Sequence, residues 1–315
     1  MHELTLLPLP SLTCDAAGRA RNVMTVDVEE YFHVAALSEA ISPADWPRLP
    51  SRVGASVERL LVALADADAH ATFFILGWVA ERHPALVRAV ARAGHEVASH
   101  GYWHQPAYRQ TPAEFAEDAR RSKAVLEDAL GAPVLGYRAA SFSIVARNQW
   151  AFAELDRLGF RYSSSVHPIA HDIYGFPDAP RTPFRPAGTQ QLVECPVSTL
   201  ELAGRRLPCA GGGYFRLLPY AWFRWAIQRL NAAGQPMLFY LHPWEIDPEQ
   251  PVVDGLSWRS RWRHYNNLHR TERRLRRLLA DFAWDRFDRW LGLAPAATPG
   301  TAPVPDGTGN AADWR

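Results

Sequence analysis

From Asn22 onward, short runs rich in β-branched and aromatic residues alternate with stretches whose apolar positions recur every three to four residues. That alternation is the mark of a parallel α/β architecture. Seven runs read as strands: residues 22–27 (NVMTVD), 71–77 (ATFFILG), 95–100 (HEVASH), 134–139 (VLGYRA), 160–165 (FRYSSS), 192–202 (LVECPVSTLEL) and 237–242 (MLFYLH). The intervening helices carry their own end signals. In residues 111–131, Thr111 is placed as N-cap, Pro112 as the first helical residue, Glu114 as capping-box partner and Gly131 as the stop. Residues 78–94 and 148–159 follow the same spacing and also end at glycine. In residues 269–282, Leu275, Leu278, Leu279 and Phe282 fall on one helical face and the arginines on a solvated one.

Residues 205–220 (RRLPCAGGGYFRLLPY) break this rhythm. Gly211, Gly212 and Gly213 permit backbone angles closed to other residues. With no lysine and no G-x-G-x-x-G pattern, they predict a tight loop before a helix at 220–234, not a phosphate cradle. Residues 294–315, rich in Ala, Pro, Thr and Gly, are expected to be disordered. Residues 1–21 form an N-terminal tail, and 22–293 a single domain, a length that suits one α/β barrel.

Lys plus Arg (34) nearly balances Asp plus Glu (33), so no global field gathers a polyanion and no nucleic-acid partner is implied. The three cysteines, Cys14, Cys195 and Cys209, lack C-x-x-C spacing and suggest neither a disulfide scaffold nor a zinc knuckle. The N-terminal stretch has no basic region and has prolines inside its apolar part, which argues against a signal peptide. No apolar run approaches the ~20 residues of a transmembrane segment. The chain is therefore expected to be soluble and cytoplasmic, with membrane-peripheral association left open.

Chemistry concentrates at strand ends. His100 and His104 are spaced His-x-x-x-His, and the acidic cluster Asp27, Glu29 and Glu30 follows the first strand. Imidazole and carboxylate hold a divalent metal while leaving a position open for water. A lone histidine pair is more often an ordinary surface or core pair. Here Arg138 in the fourth strand and His242 at the end of the seventh fall at the same strand edge, where the loops of a parallel barrel converge on one mouth.

These residues lie in the stretches TVDVEEYF, SHGYWH, GYRAASFSI, GGGYFRLLPY and FYLHPWEID, which together resemble the NodB-type polysaccharide deacetylases, carbohydrate esterases built on a distorted (β/α)7 barrel. More narrowly the chain resembles the branch associated with exosortase-linked exopolysaccharide loci, with a family-specific part from about residue 166. The resemblance implies a catalytic base at Asp27, metal ligands at His100, His104 and Glu29 (Glu30 being the alternative, since Val28 stands where many relatives have a second aspartate), an orienting Arg138 and a general acid at His242. Gly101 replaces a small hydroxyl residue without touching the ligands. Ser163 replaces an aspartate of the relatives, which leaves the orientation of His242 to Asp172 or Asp247.

The implied reaction is hydrolysis of N-acetyl groups on amino sugars, with a divalent metal, most simply Zn2+, and an N-acetylated polysaccharide or lipid-linked oligosaccharide as substrate. Trp103, Tyr214 and Trp244, with Tyr102 and Phe215, flank the motifs, and aromatic faces suit sugar rings. Two other readings fit the same barrel: a hydrolase of another C–N bond in a ureide or amide, and a non-catalytic polysaccharide-binding relative. The first would need no histidine pair if metal-free, and the second would tolerate loss of Asp27 or His242.

Overall fold

A computed structural model describes residues 4–38, 40–171 and 174–294. In chain order the strands are β1 (Thr5–Leu6), β2 (Arg21–Val28), β3 (Thr72–Ile75), β4 (Glu96–Ser99), β5 (Gly136–Tyr137), β6 (Tyr162–Ser163), β7 (Phe184–Arg185), β8 (Val193–Glu194), β9 (Thr199–Leu202), β10 (Arg205–Pro208), β11 (Leu238–Leu241) and β12 (Ala283–Asp285). The main sheet runs β1-β7-β8-β6-β5-β4-β3-β2-β11, with β12 added alongside β2. Every pair from β8 to β11 along that path is parallel, and the pairs made by β7 are antiparallel. The mixed α/β fold with a parallel-rich sheet is the one the alternation predicts. Among the described residues the hydrogen-bonded path stays open between β1 and β11.

β2 pairs with β3, β11 and β12 and is buried from Asn22 to Val28, as a strand covered above and below must be. Successive side chains point to opposite sides. Met24, Val26, Phe73 and Ile75 enter the large core under the helices, whereas Val23, Phe74 and Ala98 pack with Tyr162, Phe287 and Trp290 on the other face. The helix Pro112–Leu130 has the predicted box, with Glu114 N donating to Thr111 Oγ1 at 3.3 Å and Thr111 N to Glu114 Oε2 at 2.8 Å, and it ends at Gly131 with φ +67°.

Proline accounts for two departures. The run 192–202 is not one strand: it divides at Pro196, which has no N–H for a ladder, into β8 and a separate β9–β10 hairpin. The stretch 78–94 divides at His83–Pro84 into helices Gly77–Arg82 and Pro84–Arg92. The glycine run is not simply a loop, since a short helix, Gly212–Leu217, begins inside it. The N-terminal stretch is tied down, with Thr5 and Leu6 paired to Arg185 and Phe184. Residues 295–315 of the expected C-terminal tail lie outside the described residues. No helix among the described residues is long and apolar enough to cross a membrane.

Candidate metal centre

Because β2, β4, β5 and β11 run parallel, the residues at their C-terminal ends share one edge of the sheet. Asp27 lies at the end of β2 and Glu29 just beyond it, His100 directly after β4, Arg138 directly after β5 and His242 directly after β11. One ligand atom each from Glu29, His100 and His104 lies within 4.8 Å of the others. His104 is carried back to the site by a loop whose Tyr102 N and Trp103 N donate to Asp118 of the helix Pro112–Leu130 at 2.8 and 3.0 Å. Gly101 (φ +75°) fits against that carboxylate, and His104 itself has φ +52°, a left-handed backbone uncommon for a non-glycine residue.

The donor set fits a divalent cation. Glu29 Oε2 is 3.1 Å from His104 Nε2, yet it is buried without an aligned hydrogen bond. His100 Nδ1 is 2.9 Å from the Arg138 carbonyl. A carbonyl only accepts, so Nδ1 carries the proton and Nε2 is left as the ligand atom. Burial pushes the His100 imidazole down to about 4, against the pull of Asp27, so it is neutral at neutral pH as a ligand must be. For Glu29, burial acts upward, but His104, His242 and His100 outweigh it and hold the carboxyl well below its usual range.

Beside this cluster, Arg138 Nη1 donates to Asp27 Oδ1 at 2.6 Å and to Thr25 Oγ1 at 2.8 Å, while its Nε and Nη2 donate to Ser164 O and Oγ, each at 3.0 Å. Its guanidinium also lies over the Phe74 ring at 4.1 Å. Ser163 pairs in register with Glu194 of β8. Glu194 Oε1 accepts from Ser165 N and Val166 N, both at 2.8 Å, and so braces the segment that grips Arg138.

His242 is held from two sides. Its Nε2 lies 3.0 Å from Glu29 Oε1 and its Nδ1 3.0 Å from Glu245 Oε2, which also accepts from His242 N at 2.9 Å. Arg216 Nε donates in turn to Glu245 Oε1 at 2.9 Å. Burial acts to lower the His242 imidazole, but Glu29 and Glu245 overcome it and raise it to about 10. The acid on the His242 imidazole is therefore Glu245, in place of the expected Asp247. Asp247 is bound instead by Arg52, with Nη2 to Oδ1 at 2.9 Å, and Asp172 lies outside the described residues. Glu245 had a signal in the sequence: Pro243 and Glu245 after His242 are first-turn and capping-box residues, and the turn Pro243–Ile246 folds the carboxylate back onto the imidazole. Arg216 had none, being 29 residues away from Glu245 in the chain.

Of the acids left open, Glu29 faces the histidines. Glu30 turns toward the start of the helix Val53–Ala65, accepting from Ser51 Oγ, from Arg52 N at 3.0 Å and from Val53 N at 3.3 Å. A cavity of about 490 Å3 opens on Asp27, Glu29, His100, His104 and His242, within the range of small-ligand sites. Tyr214 and Trp244 line it, whereas Trp103 lines an adjoining cleft of about 500 Å3 with Trp46. Tyr102 is buried with its hydroxyl on Glu81, and Phe215 packs on Phe223 and Phe239, so neither reaches the cavity.

Residues 48–163 match the family model for polysaccharide deacetylase, and residues 164–292 match a domain of unknown function (DUF3473). The first stretch is thus similar to polysaccharide deacetylase domains. Asp27 and Glu29 precede it, and His242 falls in the second. No curated protein matches the chain. Among solved structures, a candidate polysaccharide deacetylase from Mycobacterium smegmatis is 20% identical, covering 94% of this chain and 99% of that one with a TM-score of 0.58, a likeness of fold. A family 4 carbohydrate esterase from Streptomyces lividans in complex with acetate is 17% identical, with 82% and 89% of the two chains covered and a TM-score of 0.43. A peptidoglycan deacetylase from Bacillus subtilis is 10% identical, with 89% and 93% covered and a TM-score of 0.45.

Proposed function

We propose that this chain is a divalent-metal-dependent hydrolase that removes N-acetyl groups from the amino sugars of a polysaccharide made for export. The observation that carries the reading is the convergence of Glu29, His100 and His104 to within 4.8 Å on a cavity that Asp27, paired with the buried Arg138, also lines. The deacetylase domain match over residues 48–163 supports the acetylated-glycan substrate class.

Glu29, His100 and His104 would hold the metal, with zinc suited to two imidazoles and a carboxylate. When bound, such an ion polarises an acyl carbonyl and makes water a nucleophile near neutral pH. Asp27 takes the proton from the attacking water, and Arg138, donating to its Oδ1 at 2.6 Å, aims that carboxylate. The water oxygen joins the acetyl carbon and the C–N bond breaks. His242 gives its proton to the departing nitrogen, so acetate and a free amine leave. Glu245 and Arg216 fix the imidazole for that transfer, Trp244 backs it by stacking on both His242 and His264, and Tyr214 on the cavity wall offers a face to the sugar.

The test is metal content and acetate release from N-acetylglucosamine oligomers, comparing the intact chain with His100→Ala. Loss of both in the variant is expected. Equal metal and equal acetate in the two proteins would remove the reading.

A further inference from the structure

The helix Trp258–Tyr265 (WRSRWRHY) has no use in that chemistry, and only His264 of its eight residues is buried. His264 anchors it, stacking on Trp244 with ring centroids 4.5 Å apart and placing Nε2 2.6 Å from Gln250 Oε1, while Arg216 donates to the carbonyls of Arg263 and His264 at 3.1 and 2.7 Å. Tyr265 also turns inward, its hydroxyl donating to Pro251 O at 3.0 Å, while Trp258, Arg259, Arg261, Trp262 and Arg263 are exposed. Trp258 is 74% exposed and Trp262 51%, one helical turn apart and hence on one face. Burying so large an aromatic surface normally stabilises a fold, so two exposed tryptophans on one short helix mark a surface awaiting a partner.

Charge selects the partner. The helix holds Arg259, Arg261 and Arg263 and no acid, and the loop before it, residues 251–257, adds only Asp254. Arg259 lies over the Trp258 ring, 5.4 Å from its centroid. Tryptophan and arginine interleaved on an exposed helix suit the headgroup layer of a membrane, where the indole sits at the apolar boundary and the guanidinium meets lipid phosphate. The patch also reaches the reaction cavity, since Trp262, Arg263 and the 47% exposed Leu217 line it.

We infer that the Trp258–Tyr265 helix docks this protein on an anionic lipid surface with the mouth of its cavity beside the bilayer. This surface lies in the stretch matched only by a domain of unknown function, and it stands apart from the deacetylase reading.

The test is co-sedimentation of the full chain with vesicles of phosphatidylcholine alone or with phosphatidylglycerol added. Binding to the anionic vesicles only, weakened by salt, is expected. Trp258→Ala, and Arg259→Glu with Arg261→Glu, should each lower the partition by about tenfold at unchanged circular dichroism. His100→Ala should bind vesicles as the parent does, which separates failure of this inference from failure of the proposed chemistry. Three results would overturn it: no binding to anionic vesicles, binding unaffected by the helix variants, or a helix that instead retains soluble polygalacturonate or holds two copies of the chain together in gel filtration.

Discussion

Arg138 and Asp27 meet at 2.6 Å with both side chains sealed from solvent, 1% and 2% exposed. Removing one partner of a buried pair leaves the other charge without compensation, at a cost of about 3–5 kcal/mol. Arg138→Met should therefore lower unfolding free energy by that order in urea titration. Arg138→Lys keeps the charge but cannot reproduce the fork that spans Asp27, Thr25 and Ser164, so it should recover only part of the loss. Wild-type stability in Arg138→Met would show that the pair does not hold the strand ends together.

His242 and Glu245 should separate acid catalysis from metal binding. His242→Ala is expected to reduce acetate release by ~100-fold or more, and Glu245→Gln by less, because the imidazole stays but its Nδ1 partner weakens. Both variants should retain metal by elemental analysis. Turnover unchanged in His242→Ala would eliminate it as the proton donor.

The ligand cluster can be read without any substrate. An ion that binds only the folded state raises stability by about 2.7 kcal/mol at a hundredfold excess over its dissociation constant. Zinc added to chelator-stripped protein should raise the melting temperature of the parent and leave Glu29→Gln and His104→Ala nearly unmoved. Equal shifts in all three would place the ion elsewhere.

Much of this site was visible in the residues because parallel strands alternate with helices and deliver their C-terminal ends to one edge. Asp27, His100, Arg138 and His242 could be assigned to that edge from strand positions alone. What escaped depends on short-range backbone turns and distant contacts. Glu30 and Glu29 are neighbours, and only the fold shows that one caps a helix while the other meets the histidines. The role given to Asp247 belongs to Glu245 because a tight turn reverses the chain after Pro243. β12 was unrecognisable as a strand, since three residues carry too little periodicity to stand out after a long helix.

Gly212 should be intolerant of a side chain for a reason unrelated to phosphate. A Cβ there would overlap the Glu245 carboxylate, which is buried between Arg216 and His242 and has no room to withdraw. Gly212→Ala is expected to destabilise the fold and to cut acetate release together, while Gly213→Ala, with open space around its Cβ, should do neither. Thermal melts and turnover of the two variants decide it, and similar behaviour in both would contradict the assigned contact.

Glu194 sets a pH dependence whose sign can be stated. Burial raises its carboxyl from 4.5 to about 7, against the opposing hydrogen bonds from Ser163 and from the Val166 and Ser165 amides. A carboxyl raised on folding gives its full stability below its unfolded value, and that stability is lost as pH rises through the folded value. A shift of this size corresponds to about 3 kcal/mol. Urea unfolding at pH 5 and pH 8 should show the parent losing stability toward pH 8 relative to Glu194→Gln, in which the same amide contacts meet a side chain that does not ionise. Buried histidines such as His167, pushed down to about 3 by burial, act in the opposite sense, so the comparison with the variant, and not the parent curve alone, carries the result. Parallel pH profiles in the two proteins would mean that Glu194 is ionised in the fold at neutral pH.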